Sequence, residues 1–222
     1  MTTLPPSHPR LKMRSYGHDE LIADAVIHAA AIVAGVIAFS VLFQKVAIYG
    51  GPIDGVAMAV YAAGFFALFG FSCAYNMTPP SPAKWLLRRF DHASIFLMIA
   101  GSYTALLSQA GASAWTITIA TVVWVGAVLG VTLKIGLPGR FDRVAILAYL
   151  MLGWAAVFAI KPIFESLPLA TGTLVIVGGG FYSIGVLFYM WKRLKFQNAL
   201  WHVFVTAGAG CHFAGVLQAL GR

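Results

Sequence analysis

The sequence from Phe196 to Phe213 reads FQNALWHVFVTAGAGCHF and places three polar groups of interest in an apolar run. Asn198 and His202 are four residues apart, which puts them one turn apart on the same face of a helix. His212 follows deeper in the run. Polar and ionisable side chains are costly in such a segment, so they indicate a functional site.

The composition around this stretch is that of a membrane protein. Of 222 residues, 60% are hydrophobic and 10% are charged, and the mean hydropathy is +0.84. Soluble domains contain about 25% charged residues. The formal net charge of +8 does not predict nucleic-acid binding, because the basic residues cluster in short loops between apolar runs. We expect membrane lipids as partners and no nucleic acid.

Seven apolar runs approach the roughly 20 residues that a membrane-spanning helix needs. The sequence therefore predicts an all-α membrane protein, a bundle of seven transmembrane helices. We expect residues 1–19 to form a cytoplasmic N-terminal segment and residues 20–222 to form the transmembrane domain. The third run looks short and is expected to extend from near Phe90 to near Gln109. The runs are Leu21–Phe43, Ile53–Tyr75, Ala93–Leu107, Trp115–Thr132, Val144–Ile160, Leu169–Trp191 and Ala199–Leu220.

The distribution of Lys and Arg predicts the orientation. The N-terminal segment and the second, fourth and sixth loops carry twelve of the 15 basic residues. Only Lys45, Lys161 and Arg222 lie in the other loops and the C-terminus. Cytoplasmic loops are enriched in basic residues, so we expect the N-terminus in the cytoplasm and the C-terminus outside.

The first predicted helix carries Glu20, Asp24 and His28 at a spacing of four residues, which places them on one face. Glu20 is expected at the cytoplasmic edge, either as a solvated cap or ion-pair partner or as part of a site. Asp24 and His28 lie further in and should face the bundle interior. They form either a hydrogen-bonded buried pair or part of a site or proton path.

Further polar residues are expected at one depth near the cytoplasmic face, on helices two, three and seven. They are Ser72, Asn76, Asp91, Asn198 and His202. A catalytic zinc site uses three protein ligands and one water. Here His202 and, next to Asp91, His92 are the strong nitrogen ligands, and the Asp91 carboxylate could orient or deprotonate a bound water. These residues alone do not specify a metal site.

The motifs taken together resemble the hemolysin III group of bacterial membrane proteins, which is related to the progestin and adiponectin receptor family. They are spread over nearly the whole chain. The matching pieces are Glu20-x3-Asp24-x3-His28, Ser72-x-x-Tyr75-Asn76, Phe90-Asp-His-Ala-Ser94 with 99–104, Tyr149–Trp154, Gly178–Gly185 with Phe188-Tyr189, Asn198–Val205 and Cys211-His-Phe213.

The resemblance implies seven transmembrane helices and a zinc site near the cytoplasmic face, held by three histidines with a serine and an aspartate close by. It also implies a relation to putative membrane hydrolases. By position, Ser72, Asp91 and His202 match this pattern. Asn76 and Asn198 stand where the other two histidines are expected, so one of the three imidazoles remains.

Three interpretations of this departure are open. The asparagines, Asp91 and His202 form a hydrogen-bonded cluster without metal, which we favour; His28, His92 or His212 supplies replacement nitrogens; or oxygen ligands bind a different ion. We therefore predict a metal-depleted polar site in a protein of membrane or lipid homeostasis in the inner (plasma) membrane. The alternatives are a zinc-dependent lipid amidase with Ser72 and Asp91 in catalytic roles, and a cytolytic pore-forming protein.

Overall fold

The predicted all-α fold with seven helices is confirmed. The computed structural model describes residues 16–137, 139, 141–155, 157 and 165–220, and contains no strand within them. Most of the predicted N-terminal segment therefore lies outside the described residues. The helices are α1 (His18–Tyr49), α2 (Pro52–Met77), α3 (Pro82–Ala110), α4 (Ala114–Gly136), α5 (Asp142–Gly153), α6 (Leu169–Met190) and α7 (Gln197–Ala219).

Six of these helices, all except α5, are long and apolar enough to cross a membrane. α5 has 12 residues, or about 18 Å at the helical rise of 1.5 Å per residue. The apolar run predicted as one helix over 144–160 ends its α-helical part at Gly153. The carbonyl oxygen of Gly153 accepts a hydrogen bond from Tyr103 Oη at 2.9 Å, and Val157 N–H bonds Trp154 O at 2.9 Å, three residues back. Residues 156 and 158–164 lie outside the described part of the chain.

The predicted start of the third helix is wrong, because α3 begins at Pro82 rather than near Phe90. Ser81 caps the helix by accepting a hydrogen bond from Lys84 N–H at 3.2 Å. Arg88 and further polar residues lower the hydropathy of the first turns without interrupting the helix. Hydropathy therefore predicted the apolar part of α3 but not its polar first turns.

α3 is the central helix of the bundle and contacts α2, α4, α5 and α7. Its most apolar window is 61% buried, more than that of any other spanning helix. The backbones of α2 and α3 approach closely at two glycines. A Cβ on Gly64 would lie 2.8 Å from Leu97 O, and one on Gly101 would lie 3.0 Å from Val60 O. Small residues permit such contacts between membrane helices.

Two ion pairs join α3, α4 and α5 at the predicted cytoplasmic end. Asp142, in the first turn of α5, binds Arg88 Nη2 at 2.6 Å. Its other oxygen binds Lys134 Nζ at 2.7 Å, and the Lys134 side chain is only 5% exposed. The Asp142 carboxylate thus compensates a buried cation, which holds the start of the short helix α5 against its neighbours.

The N-terminus of α7 is fixed by a residue of α1. Phe196 adopts a left-handed backbone conformation with φ of 58°, which is uncommon for a bulky residue. Its N–H donates to Glu20 Oε1 at 2.9 Å, and Glu20 Oε2 accepts from Gly17 N–H at 2.9 Å. Glu20 therefore sets where α7 begins, and with it the positions of Asn198 and His202.

Candidate functional site

His202 lies at the centre of a buried polar cluster. Its Nδ1 is 2.5 Å from Asp24 Oδ1, and its Nε2 is 3.2 Å from Ser72 Oγ. A carboxylate only accepts hydrogen bonds, so Nδ1 carries the hydrogen and Nε2 offers a lone pair to the serine. All three residues are at most 5% exposed. The cluster therefore joins α1, α2 and α7 through one imidazole.

Two asparagines, at the positions where the resemblance implies histidines, complete this cluster. Asn198 Nδ2 donates to Asp24 Oδ2 and to Asn76 Oδ1, each at 3.1 Å. Asn76 Nδ2 lies 2.9 Å from Ser72 O and 3.3 Å from Ser72 Oγ. The hydrogen bonds run from Asp24 through Asn198, Asn76, Ser72 and His202 and return to Asp24, so they form a closed ring.

His28 lies beside His202, with the ring centroids 4.3 Å apart. Its Nδ1 is 2.8 Å from the backbone carbonyl of Asp24, so this nitrogen carries the hydrogen. Its Nε2 is buried without a hydrogen-bond partner in the described part of the chain. His28 is fully buried and presents an uncompensated lone pair close to the cluster.

The sequence indicated Asp24 and His28 as a pair, and did not place them with Ser72 and His202. The structure brings all four together. Asp24 and His28 follow Glu20 by four and eight residues, which places them about one and two helical turns deeper than the predicted cytoplasmic edge. Asn198 and His202 follow Phe196, the N-cap of α7, by two and six residues, so a similar depth was the signal that could have joined the two pairs.

Asp91 and His92 border the cluster on the α3 side. His92 Nδ1 is 3.0 Å from Asp91 Oδ2, and Tyr149 Oη donates to His92 O at 2.8 Å. The Asp91 carboxylate interacts with the Ser72 hydroxyl and, electrostatically, with His202. Ser72 thus stands between a carboxylate on α3 and an imidazole on α7.

Two other candidate residues lie apart from this cluster. Glu20 binds backbone N–H groups at the start of α1 and α7. His212 Nε2 is 3.2 Å from Val175 O, and its ring packs edge-on against Tyr182 at 5.3 Å between centroids. Glu20 therefore organises the helix ends, and His212 lies deeper in the bundle, away from His202.

A cavity of about 250 Å³ opens onto the cluster. Ser72, Asn76, Asp91, Asn198 and His202 all line it. At one end it is bordered by three basic side chains and by Asp142, which pairs with Arg88, and at the other mainly by apolar and aromatic side chains. The basic residues are Lys84, Arg88 and Lys192, and the deeper ones include Met98, Ile99, Tyr103, Tyr182 and Val205.

The zinc site that the family resemblance implies does not fit residues 76 and 198. Both amide nitrogens donate hydrogen bonds, and an amide nitrogen has no lone pair for a metal. A different set could hold a metal ion: one ligand atom from each of Asp24, His28 and His202 lies within 4.8 Å of the others. Two imidazoles and a carboxylate suit zinc and other transition metals. Of the three proposed replacement nitrogens, His28 is the one next to His202.

Six helices that are long and apolar enough to cross a membrane, packed around a buried polar cluster, define a multi-pass integral membrane protein. The family model described as "Haemolysin-III related" matches residues 17–213, and the chain belongs to this family. It is 33% identical over 200 residues to Hemolysin-3 of Bacillus cereus, covering 89% of this chain and 90% of that protein.

More distant relatives extend the similarity. The chain is 32% identical over 198 residues to a Hemolysin-3 homolog of Bacillus subtilis (strain 168), covering 89% of this chain and 93% of that one. It is 23% identical over 225 residues to the human Monocyte to macrophage differentiation factor, covering 98% and 90% of the two chains. The predicted hemolysin III membership is therefore confirmed.

Proposed function

We propose that this protein binds a membrane amphiphile in its cavity and acts in membrane or lipid homeostasis, with a polar site that works without a bound metal. The observation that carries the proposal is the placement of Asn198. Its amide nitrogen lies 3.1 Å from an oxygen of Asp24 and 3.1 Å from an oxygen of Asn76. Where the resemblance implies a metal-binding imidazole, this side chain closes a hydrogen-bonded ring.

The lining of the cavity supports an amphiphile as the ligand. Lys84 and Lys192, together with the Arg88–Asp142 ion pair, suit a strongly polar head group at one end. The deeper apolar and aromatic side chains suit a hydrocarbon chain. A polar cluster between the two ends would lie beside the junction of head group and chain.

Lipid retention on the purified protein tests the ligand. Native mass spectrometry of the wild type should detect a co-purified lipid. Val205, which lines the cavity, should lose that lipid when changed to Trp, because the larger side chain fills the space. Val203→Trp is the matched control, since Val203 is 46% exposed on the outer face of the same helix. Equal lipid content in both variants would contradict the proposal.

Metal content tests the second part of the proposal. Elemental analysis of protein purified without chelator should give zinc far below one ion per chain. Stoichiometric zinc that disappears in His202→Ala would overturn the metal-free site.

A metal-dependent hydrolase is the second candidate, favoured by the grouping of Asp24, His28 and His202. These residues would hold the ion, and a bound zinc would supply an activated water for hydrolysis of a lipid amide. The bare Nε2 of His28 supports this role, because metal-binding histidines commonly donate their other N–H to a carbonyl, as His28 does here. Stoichiometric zinc that His28→Ala removes would favour this candidate over the first.

The names of the Bacillus relatives suggest a third activity, cytolysis. Dye release from liposomes containing the purified protein tests it directly, with empty liposomes as the control. For location we propose the inner (plasma) membrane with the N-terminus in the cytoplasm, supported by the basic residues of the N-terminal segment and the second, fourth and sixth loops.

A further inference from the structure

We infer that Ser72, His202 and Asp24 form a metal-independent serine hydrolase triad that cleaves an acyl ester of the amphiphile in the cavity. The inference rests on the proposed function, since it assigns a reaction to the same cavity. It differs from metal-dependent hydrolysis in that Ser72 is the nucleophile and no ion takes part.

The order of contacts is that of a nucleophile, a base and an orienting carboxylate. Ser72 Oγ lies 3.2 Å from His202 Nε2, within the 2.6–3.2 Å range typical of such pairs. The other ring nitrogen is 2.5 Å from Asp24 Oδ1. Because Asp24 holds the hydrogen on Nδ1, the lone pair of Nε2 faces the hydroxyl that it must deprotonate.

The surroundings support each member of the triad. Asn198 donates to the second oxygen of Asp24 at 3.1 Å, which fixes the carboxylate. The Asp91 carboxylate attracts His202 from the α3 side, so the imidazolium formed during reaction would lie between two negative charges. The Ser72 hydroxyl can also bond the Asp91 carboxylate, and because it has one hydrogen it donates to Asp91 or to His202 at any one time. The His202 contact continues to a further carboxylate, that of Asp24, and for this reason we assign His202 as the base.

An amide donor is available for the negative charge that develops on the substrate oxygen. Asn76 Nδ2 lies 3.3 Å from Ser72 Oγ and 2.9 Å from Ser72 O. The amide group is planar and its nitrogen has two hydrogens, so the one not bound to the Ser72 carbonyl points towards Ser72 Oγ, where a substrate oxygen beside Oγ can accept it. We assign Asn76 as the oxyanion donor, in the manner of amide side chains in other acyl-transfer sites.

The reaction balances with water as the co-reactant. Ser72 Oγ forms a bond to the acyl carbon and passes its proton to His202 Nε2. The acyl carbon–oxygen bond of the ester breaks, and the leaving alcohol takes that proton. Water then attacks the acyl-serine and gives a proton to His202. The bond to Ser72 Oγ breaks, the serine oxygen regains the proton, and a carboxylic acid is released.

The lining of the cavity indicates how the substrate would be oriented when bound. Ser72 lies between the basic end and the apolar depth. An ester carbonyl at Ser72 places the acyl chain towards Met98 and Tyr182, and the leaving alcohol towards Lys84 and Lys192. The chemical class is thus a lipid with an acyl ester close to a strongly polar head group.

A fluorophosphonate probe, which reacts with activated serines, tests the triad on the full-length protein in detergent. We expect one adduct per chain, mapped to Ser72 by peptide mass spectrometry, that forms equally with EDTA and 1,10-phenanthroline present. Ser72→Ala should give no adduct, and Asp24→Asn should slow its formation about 100-fold or more. Ser94→Ala is the matched control, because Ser94 is a buried serine that bonds Asp91 O and does not line the cavity.

The other possible results would overturn either the triad or the proposed lipid binding. A chain that elutes as a folded monodisperse species and shows no adduct at Ser72 would overturn the triad. An adduct that chelators abolish, or that forms at the wild-type rate in Asp24→Asn, would do the same. If Ser72→Ala still retains lipid while no variant reacts, lipid binding stands and the hydrolase is wrong. If Ser72 reacts and no lipid is retained, the triad stands and lipid binding is wrong.

Discussion

His202 Nδ1 and Asp24 Oδ1 lie 2.5 Å apart and join α7 to α1 across 178 positions of the sequence. Neither side chain is more than 7% exposed. α1 packs on both α2 and α7, and this pair joins it to α7 at the polar end of the bundle. The packing of the bundle and the proposed reaction therefore both depend on the contact between Asp24 and His202.

Removing the Asp24 carboxylate should destabilise the protein. Asp24→Ala leaves the N–H groups of His202 and Asn198 without their acceptor in a buried position, which costs about 3 kcal/mol. We expect a clearly lower thermal midpoint by fluorescence-detected size-exclusion chromatography. Asp19→Ala is the control, since Asp19 pairs with Lys195 at the surface, where both side chains are more than half exposed. Equal thermal midpoints for the two variants would contradict this prediction.

Restoring imidazoles at the family positions should create a zinc site. Asn76→His combined with Asn198→His adds two nitrogen ligands near His202, and a three-histidine set binds zinc far better than amides do. We expect close to one zinc per chain in the double variant after dialysis, measured by elemental mass spectrometry. Asn76→Gln with Asn198→Gln, which adds bulk without imidazole, should bind none. A wild type as rich in zinc as the double variant would contradict the metal-free interpretation.

Close packing of α2 on α3 should make Gly64 sensitive to a single methyl group. The Cβ of Gly64→Ala would meet Leu97 O at 2.8 Å and Met98 Cα at 3.1 Å, both backbone atoms that cannot rotate away. We expect a loss of about 1–3 kcal/mol, read as a lower thermal midpoint. Gly70 lies on the same helix, and a Cβ added there would meet nothing within 4 Å, so Gly70→Ala should be neutral or slightly stabilising.

The charge distribution predicts the topology of the chain. An alkaline phosphatase fused after residue 222 should be active, because the C-terminus is expected outside, and a fluorescent protein fused there should stay dark. The same two reporters inserted after Ser81, in the basic second loop, should show the reverse. A fluorescent C-terminal fusion would contradict the predicted orientation.

The sequence predicted the order of the seven helices in the described residues, because each apolar helix is identified from its own hydropathy. Hydropathy predicts less well where a helix begins and where it ends. The charged turns after Pro82 are helical although they are not apolar. The α-helix α5 ends at Gly153, whose carbonyl accepts a hydrogen bond from a hydroxyl on another helix, that of Tyr103, and hydropathy along the chain does not show such a contact.

The site was only partly predictable for a related reason. Spacing along one helix identified the pairs Asp24–His28, Ser72–Asn76 and Asn198–His202, since residues four apart share a face. Which pairs meet depends on packing between helices that are distant in sequence. No local pattern shows that Asp24 binds His202 or that Asn198 lies between two helices. The orientation of each imidazole also follows only from its neighbours in space.

The link between the first and last helices has a consequence for how the chain is made. Asp24 is synthesised 174 residues before Asn198, its partner, and α1 enters the bilayer carrying a carboxylate and an imidazole that α7 has yet to meet. Unpartnered groups of this kind are costly in lipid. The polar cluster is therefore completed only after α7 has been synthesised, and a chain that stops after α6 would carry an unpartnered Asp24 as a sign of incomplete folding.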